Sequence, residues 1–261
     1  MEDLDGLAAH VEKDPIDAAF HLAWSGVTGE LRNSTDPAIL NMVGSLRVWE
    51  MLSRTGCKAF ITVGSQAEYG RHSGVLREDL PACPETVYGS TKLSLNILLK
   101  QLCAMKSMRL VWMRLISAYG PADDERHMVP RLIRALLKGE RPALTQGEQI
   151  WDYLYATDVA EALCQAMEQD IAGVFNLGSG TTCVLKDFVT AIRDRIDPSL
   201  PLGFGDIPYR PDQVMHLEAD ISHLKAATGW APRVDLTEGI RRTVEWYTSH
   251  CETSSSVPRQ H

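Results

Sequence analysis

The sequence lacks the features that mark several large classes of protein. No apolar run approaches the length of a membrane-spanning helix, and no basic tract suggests nucleic acid or an anionic membrane as a partner. The N-terminus is acidic and has neither the basic nor the apolar region of a signal peptide. These absences predict a cytoplasmic protein that binds neither nucleic acid nor membrane.

Paired cysteines and metal-ligand motifs are also missing. The six cysteines are scattered without a C-x-x-C pair, which is typical of reduced thiols that mostly fill a core. The eight histidines show no H-E-x-x-H or comparable spacing, so we predict no metal site. With 261 residues, 44% of them hydrophobic, the chain suits one large domain or two closely joined ones.

Short apolar runs alternate with helical patterns, which predicts an α/β protein with a parallel sheet. Strands are predicted over residues 17–24, 58–65, 108–120 and 173–180. Helices are predicted over residues 39–56, 88–104, 128–139, 157–169, 185–196 and 236–247. Gly56 should end the first helix and Thr157 should cap a later one. From Glu252 the chain is polar, and we expect a disordered tail.

Tyr88 and Lys92 are four residues apart at the start of a predicted helix, so they share one face. An ammonium close to a phenol favours the phenolate and lowers the pKa of the phenol. Such a tyrosine can exchange a proton near neutral pH. The spacing alone is common, and a surface tyrosine followed by a solvated lysine explains it equally simply.

Ser65 ends the strand that precedes this helix. Ligands of open α/β sheets bind at the carboxyl ends of the strands. A hydroxyl there can hold a substrate carbonyl while a nearby tyrosine transfers the proton. Ser65 followed by Y-x-x-x-K is a more specific pattern than either part alone.

The chain resembles the extended short-chain dehydrogenase/reductase family that acts on nucleotide sugars. The matching stretches are, in order, AAFHLAW, NMVGSLRVWEML, GSQAEYG, VYGSTK, RLISAYGP, IWDYLYATDVAEAL, FNLGSG and ATGWAPRVDLTEGI. They extend from about residue 15 to residue 247. The resemblance implies a Rossmann-type parallel sheet flanked by helices, truncated at its N-terminus, with a smaller C-terminal substrate-binding region.

The resemblance also implies roles for the matching residues. Tyr88 would be the acid or base, Ser65 would polarise the sugar carbonyl, and Lys92 would lower the pKa of Tyr88 and bind the nicotinamide ribose. The cofactor would be NAD or NADP, in contact with Leu22, Ala23, Trp24, Val63, Tyr88, Lys92 and Leu115. The nucleotide-sugar substrate would contact Ser65, Gln66, Ser117 and Arg210. Asn41 would be either a buried support of the active-site helix or a helix N-cap.

The residues after Ser65 bear on the type of reaction. Nucleotide-sugar 4,6-dehydratases carry an Asp-Glu pair directly after the catalytic hydroxyl, whereas this chain has Gln66 and Ala67. Glu68 is one place too late unless a bent strand re-aims it. The resemblance therefore implies a reductase of 4-keto-6-deoxy sugar nucleotides or an epimerase.

The distal half departs from the family pattern at two positions. Trp151 stands where relatives often have Arg before Asp152, so we expect Asp152 to be structural. Ser117 stands where many relatives have Asn. Arg210 matches an arginine that clamps the diphosphate, a task suited to a planar guanidinium, although a loop arginine in solvent explains it about as well.

The Gly-rich turn that cradles the cofactor pyrophosphate in this family is not found in the sequence. We therefore expect weak or no cofactor binding by these residues alone. The chain is either a fragment that needs an N-terminal unit, a shortened binding or interaction module, or one half of a pair. We predict a dinucleotide-binding core over residues 1–120, an insertion over 121–150, a core segment over 151–180, a substrate region over 181–250 and a tail over 251–261.

The helix at residues 88–104 is apolar on more than one face. A helix of this kind must bury both sides, one against the sheet and the other against a partner. We therefore predict a homodimer formed through the helices at residues 39–56 and 88–104.

Overall fold

The computed structural model of the chain describes residues 15–27, 29–210 and 213–254, together with Gly6 and Val11. The strands are β1 (Ala18–His21), β2 (Ala59–Ser65), β3 (Val75–Leu76), β4 (Arg109–Leu115), β5 (Ala118–Tyr119), β6 (Ala143–Leu144), β7 (Ile150–Asp152), β8 (Leu154–Tyr155), β9 (Gly173–Leu177), β10 (Thr182–Val184), β11 (Gly203–Phe204) and β12 (His216–Ala219). The α-helices are α1 (Thr35–Arg54), α2 (Val87–Met105), α3 (Met128–Leu137), α4 (Ala156–Glu168), α5 (Leu185–Ile196), α6 (Ser222–Thr228) and α7 (Leu236–Ser254).

These elements form two compact units. The first unit comprises Met1–Ile116, Glu161–Leu177 and Ala219–Trp230. The second comprises Ser117–Ala160, Gly178–Glu218 and Ala231–His261. The finer five-part division drawn from the sequence remains a prediction.

The first unit is built on a parallel sheet with the strand order β1-β2-β4-β9. Its central strands are buried on both faces, and Val111, Trp112 and Met113 are fully inaccessible to solvent. The register places Ser65 beside Leu115, and Leu115 beside Leu177. The carboxyl ends of these strands therefore meet at one edge, where open α/β sheets bind their ligands.

β1 is shorter than the sequence suggests. It ends at His21 rather than at Trp24, and the residues that follow have no regular structure. The side chain of Asn41 accepts a hydrogen bond from Ser25 N at 3.0 Å and donates one to Ser25 O at 2.8 Å. The backbone of Ser25 is therefore bonded to a helix instead of continuing the ladder of the sheet.

The structure confirms one of the predicted helix ends and contradicts another. Gly56 follows the last turn of α1 with a φ of +79°, which confirms it as the residue that ends this helix. Thr157 is not an N-cap, because α4 already begins at Ala156. The predicted tail starts too early, since α7 continues to Ser254; residues 255–261 lie outside the described part of the chain.

The second unit has its own core. β7 pairs with β10 in antiparallel and with β12 in parallel orientation. Helix α5 packs against α3 and α7, and aromatic rings fill the space between elements. Tyr153 and Phe188 stack with their ring centroids 4.1 Å apart, and Tyr119 meets Phe188 edge-on at 5.4 Å.

The cysteines fill the core only in part. Cys57 and Cys103 are buried, whereas Cys83 and Cys164 are exposed. No described helix is long and apolar enough to cross a membrane. Within the described ranges, no group of three or more His, Cys, Asp or Glu side chains is arranged to hold a metal ion.

Candidate active site

The site is built around Ser65, at the carboxyl end of β2. A short 3₁₀ turn over Gln66–Glu68 follows it directly. The Ser65 hydroxyl accepts a hydrogen bond from Ala67 N at 3.1 Å, and Ser65 N donates to Glu68 Oε1 at 2.9 Å. This reciprocal capping box fixes both the backbone and the side chain of Ser65.

Helix α2 brings Tyr88 to Ser65. Thr86 caps the helix by accepting a hydrogen bond from Gly89 N at 3.0 Å, so Tyr88 lies in the first turn. A Cβ on Gly89 would lie 2.3 Å from Ala67 O, which no side chain permits. The glycine therefore lets the helix approach the turn closely enough for Tyr88 to hydrogen-bond with Ser65.

The pKa of Tyr88 is raised, not lowered as the sequence predicted. Burial is the main cause, and the charge of Glu68 adds to it. The hydrogen bond with Ser65 and the positive charge of Arg32 oppose the rise. Arg32 lies over the ring of Tyr88, with its guanidinium carbon 5.4 Å from the ring centroid. The cation acting on this phenol is therefore Arg32.

Lys92 is turned away from solvent. Its side chain is buried, with only 5% of the residue exposed, and Nζ donates to Val63 O at 2.6 Å. The ammonium lies 3.6 Å from the ring centroid of Trp24, a close cation–π contact. Burial lowers the pKa of Lys92 to about 7, while the charge of Glu68 opposes this shift. Tyr88 and Lys92 thus both contact Trp24: the ammonium lies over the indole ring, and the ring of Tyr88 meets the indole edge-on.

A small pocket borders Tyr88. Trp24, Arg32, Asn41 and Tyr88 line a pocket of about 10 Å³, which is room for roughly one water molecule. Asn41 is buried in the interior of α1, so it is not an N-cap. It supports the loop that carries Trp24 through its bonds to Ser25, rather than the active-site helix.

The remaining first-unit residues were predicted to contact the cofactor or, for Gln66, the substrate. Val63 accepts the Lys92 hydrogen bond, and Leu115 ends β4 next to Ser65 in the sheet. Leu22 and Ala23 are exposed in the loop after β1. Gln66 is partly buried at the start of the 3₁₀ turn.

Glu68 is not re-aimed towards the site. Its carboxylate is fully buried and accepts hydrogen bonds from Ser65 N, from Trp112 Nε1 and from Arg114 Nε, each at 2.9 Å. A carboxylate that is fully buried and already accepts three hydrogen bonds is not exposed to exchange a proton with a substrate. The acid and base that a 4,6-dehydratase needs are therefore absent at residues 66–68.

Ser117 and Arg210 belong to the second unit. Ser117 is partly buried, and its carbonyl accepts a hydrogen bond from Leu154 N at 2.8 Å. Arg210 is exposed and lines a pocket of about 690 Å³ within that unit. Gln149 lies in the same lining, buried, with an Oε1 that accepts no hydrogen bond from the protein. This volume falls in the range of pockets that hold cofactor-sized or nucleotide-sized ligands.

Asp152 is structural, which confirms the expectation from the sequence. Its carboxylate is fully buried and accepts from Ser179 N at 2.6 Å, from Ser179 Oγ at 2.7 Å and from Gly180 N at 3.0 Å. It fixes the turn between β9 and β10.

The sequence did not single out several residues of the site: Arg32, Gly89, and Trp112 and Arg114, which bond to Glu68. Gly89 was visible as a small residue next to Tyr88. Arg32 carries no local signal, because it reaches Tyr88 only through the fold.

Comparison with known proteins agrees with this geometry. The model of the NAD dependent epimerase/dehydratase family matches residues 1–178. The chain belongs to this family. The chain thus belongs to a group of proteins that transform nucleotide sugars with NAD, in agreement with the resemblance described above.

Relatives within the family have different activities. The chain is 27% identical to the dTDP-glucose 4,6-dehydratase of Streptomyces griseus, over 90% of this chain and 72% of the relative. It is 25% identical to the dTDP-4-dehydro-6-deoxyglucose reductase of Escherichia coli, over 90% and 76%. Identities at this level do not single out one reaction.

A solved structure supports the fold. The UDP-N-acetylglucosamine 4-epimerase of Methanobrevibacter ruminantium M1, in complex with UDP-N-acetylmuramic acid, superposes with a TM-score of 0.85 at 27% identity. The match covers 95% of this chain and 82% of the epimerase. The α/β fold with a Rossmann-type parallel sheet is therefore confirmed.

The residues present fit a nicotinamide cofactor in part. Ser65 and Tyr88 lie at the carboxyl end of the sheet, as the chemistry requires. The ammonium of Lys92, however, has its open side covered by Trp24. The site fits the ribose of a nicotinamide nucleotide only when Trp24 leaves this contact.

Proposed function

We propose that the chain belongs to an NAD(P)-dependent reductase of a nucleotide-activated sugar, with a 4-keto-6-deoxy sugar nucleotide as substrate. The observation that carries this proposal is the pairing of Ser65 and Tyr88 without a second acid or base beside them. Reduction of a ketone needs one hydride and one proton. A 4,6-dehydration needs a further acid and base. The carboxylate of Glu68, which is buried and bonded to three donors of the protein, supplies neither.

The proton is the part of the reaction that the chain's own residues perform. A raised pKa keeps Tyr88 protonated at neutral pH, so it is ready to donate a proton to the oxygen of a ketone under reduction. Ser65 uses an oxygen lone pair for Ala67 N, which leaves its own O–H free to donate to the same carbonyl oxygen. The nicotinamide cofactor would supply the hydride.

We propose that the second unit holds the nucleotide. Arg210 lines the 690 Å³ pocket there, and a guanidinium can bond two phosphate oxygens at once. Aromatic and aliphatic side chains, among them Trp151, Leu185 and Phe204, line the remainder, which suits a flat base and its ribose. Ser117 would contact the sugar.

The experiment is a matched set of incubations. The purified chain is mixed with NADH or NADPH and with 4-keto-6-deoxyhexoses linked to dTDP, UDP or GDP, and products are separated by ion-pair chromatography and mass spectrometry. A product two mass units heavier than the ketone, formed with loss of reduced cofactor, supports the reductase. Interconversion of epimers without net cofactor loss supports the rival epimerase. A nucleotide sugar that binds without any turnover supports the rival below.

The rival from another class is a binding module without redox turnover. The observation that favours it is the enclosed position of the Lys92 ammonium, which lies between Val63 O and the ring of Trp24. A residue so enclosed makes no contact with a ribose.

Replacing Trp24 by Ala separates these two proposals. In a reductase, the change is expected to tighten nicotinamide binding by about 2- to 30-fold, because displacing a cation–π contact costs about 0.5–2 kcal/mol. A titration followed by nicotinamide fluorescence measures the affinity for the cofactor. The control is Trp246→Ala on α7, which also removes one indole. Weaker cofactor binding in the Trp24 variant would show that the indole lines the cofactor site instead of covering Lys92. No binding by wild type or variant at millimolar cofactor would favour the module.

We also propose a homodimer through α1 and α2. Ile39 on α1 is 63% exposed and Ile97 on α2 is 57% exposed, although both are large and apolar. The two helices pack against each other and border an open groove of about 700 Å³. Exposed apolar faces of this extent are typical of association surfaces.

The dimer is tested by sedimentation velocity at micromolar protein. Wild type is expected to sediment as a dimer, and the double variant Ile39→Glu with Ile97→Glu as a monomer. Met215→Glu, an exposed apolar residue of the second unit, should leave the dimer intact. A monomeric wild type, or a dimeric double variant, would contradict this assignment.

A further inference from the structure

Glu68 is a buried charge that the proposed reaction does not use. Its side chain is fully inaccessible to solvent, and its ion-pair partner Arg114 is 6% exposed. Taking two charges out of water costs several kcal/mol for each ion, and that cost is repaid only when geometry and hydrogen bonding are good. An ion pair of this kind next to Ser65 therefore needs an explanation.

The surroundings of Glu68 are shaped to receive it. Trp112 and Arg114 are two residues apart on β4, so their side chains leave the sheet on the same face. Gly64 lies opposite them, where a Cβ would be 2.1 Å from Trp112 Nε1 and 2.4 Å from Glu68 Oε1. The absence of a side chain at Gly64 makes the room in which the carboxylate and the indole N–H meet.

The network continues beyond the ion pair. The guanidinium of Arg114 lies over the ring of Tyr69, 4.5 Å from its centroid. Tyr69 in turn donates its hydroxyl to Asn176 Oδ1 on β9 at 2.7 Å. Glu68 is thereby connected to β4 and β9, so its carboxylate is held by strands of the sheet and not by the turn alone.

This carboxylate acts on Ser65 through the backbone. Ser65 N donates to Glu68 Oε1, and the hydroxyl of Ser65 accepts from Ala67 N. With the backbone N–H of Ser65 and one lone pair of its hydroxyl oxygen both engaged, the hydroxyl proton remains free to donate to another acceptor. The orientation of Ser65 as a donor therefore depends on where Glu68 is held.

The charge of Glu68 also reaches the two titratable groups of the site. It raises the pKa of Lys92, against the lowering caused by burial, and it raises the pKa of Tyr88. The other charged or titratable neighbours are Arg32 beside Tyr88, and His21, whose pKa burial and the charge of Lys92 lower to about 4. Among these groups Glu68 is the one that carries negative charge.

We propose that Glu68 is a positioning residue for Ser65: its carboxylate, held by Trp112 and Arg114 of β4, fixes Ser65 as a hydrogen-bond donor and places a buried negative charge beside it. This inference rests on the proposed function for its effect on turnover. Its effect on Lys92 is independent of any reaction. The competing explanation is an ion pair that stabilises the fold and does nothing else.

The decisive variant is Glu68→Gln combined with Arg114→Met. The amide oxygen of Gln can still accept from Ser65 N and Trp112 Nε1, while Met removes the guanidinium that would otherwise be left without its counter-charge. Replacing both members of a buried ion pair often leaves stability unchanged, whereas removing one is strongly destabilising. Arg71→Met with Glu85→Gln, which removes an exposed ion pair of the same unit, is the matched control.

The protein is labelled with ¹³C-lysine, and the Cε signal of Lys92 is recorded as a function of pH. The variant Lys92→Met, which lacks this signal, assigns it. Loss of the Glu68 carboxylate lowers the Lys92 midpoint, whereas loss of the Arg114 guanidinium raises it, so the double variant is compared with Arg114→Met. We expect a lower midpoint in the double variant than in Arg114→Met, with the exposed-pair control equal to wild type. If turnover is present, kcat should fall at least tenfold with the KM for the nucleotide sugar unchanged. A folded double variant whose Lys92 midpoint equals that of Arg114→Met and whose kcat equals that of wild type overturns the proposal.

A second variant covers the case in which the double variant does not fold. Glu68→Asp keeps the charge but shortens the side chain by one methylene, which withdraws the oxygen from Ser65 N. We expect kcat to fall while the Lys92 midpoint remains at the wild-type value. A shifted midpoint with unchanged kcat would contradict both halves of the proposal. A wild type without turnover refutes the proposed function alone, because the Lys92 titration still decides this inference.

Discussion

Replacing Tyr88 by Phe is expected to lower turnover of the nucleotide sugar by about 10²- to 10⁴-fold, the usual contribution of a positioned general acid. The ring and its edge-on contact with Trp24 remain, so folding should be unaffected. Only the hydroxyl that bonds to Ser65 and carries the proton is lost. Affinity for the nucleotide sugar should stay at the wild-type value, because the nucleotide is held elsewhere.

Steady-state kinetics and a binding titration measure this on the same preparation. Tyr247→Phe removes one phenolic oxygen from the second unit, where the hydroxyl donates to Asp123 O at 3.3 Å, and serves as the control. The control should keep its kcat. Undiminished turnover by Tyr88→Phe would remove Tyr88 from the reaction and with it the present assignment of the site.

Replacing Asp152 by Ala is expected to destabilise the second unit by about 3–5 kcal/mol, because three donors lose a buried, charged acceptor. Such a loss is a large part of the roughly 5–15 kcal/mol that stabilises a typical domain. The variant should therefore lose structure before it loses a specific chemical step.

Urea unfolding followed by circular dichroism measures this destabilisation. Asp194→Ala, which removes an exposed carboxylate on α5, should leave the unfolding midpoint unchanged. If Asp152→Ala unfolds at the wild-type urea concentration but has lost turnover, Asp152 takes part in catalysis and its structural assignment is wrong.

Much of the fold follows from local sequence patterns. The β-branched and apolar run of β2 ends at Ser65, and the helix with Tyr88 in its first turn follows after a polar loop. Periodicity and turn residues predicted both, since each depends on neighbouring residues. Ser65 was therefore correctly placed at a strand end, and Tyr88 at a helix start.

The electrostatics of the site could not be predicted in the same way. The sequence places Lys92 one turn after Tyr88 and suggests that its charge lowers the pKa of the phenol. In the structure the ammonium is held by Val63 O and Trp24, and Arg32 takes the place beside the phenol. These partners come from other strands and loops, and helical spacing gives no information about them.

The boundary of β1 shows the same limit. The run from Ala18 to Trp24 reads as one strand, because its residues are almost all apolar. The strand ends at His21, and four residues later Asn41, on a helix, bonds to the backbone of Ser25. This tertiary hydrogen bond fixes the loop after the strand, and the local sequence gives no sign of it.

The most direct test of the proposed reaction is a single-turnover incubation in which the reduced nicotinamide carries deuterium at C4. The purified chain is mixed with this cofactor and a 4-keto-6-deoxy sugar nucleotide in ordinary water, and the product is analysed by mass spectrometry. A reductase yields an alcohol with one deuterium bound to the sugar carbon and a proton from Tyr88 on the oxygen. Recovery of the unlabelled ketone, with cofactor and sugar nucleotide both bound, would contradict the proposed function.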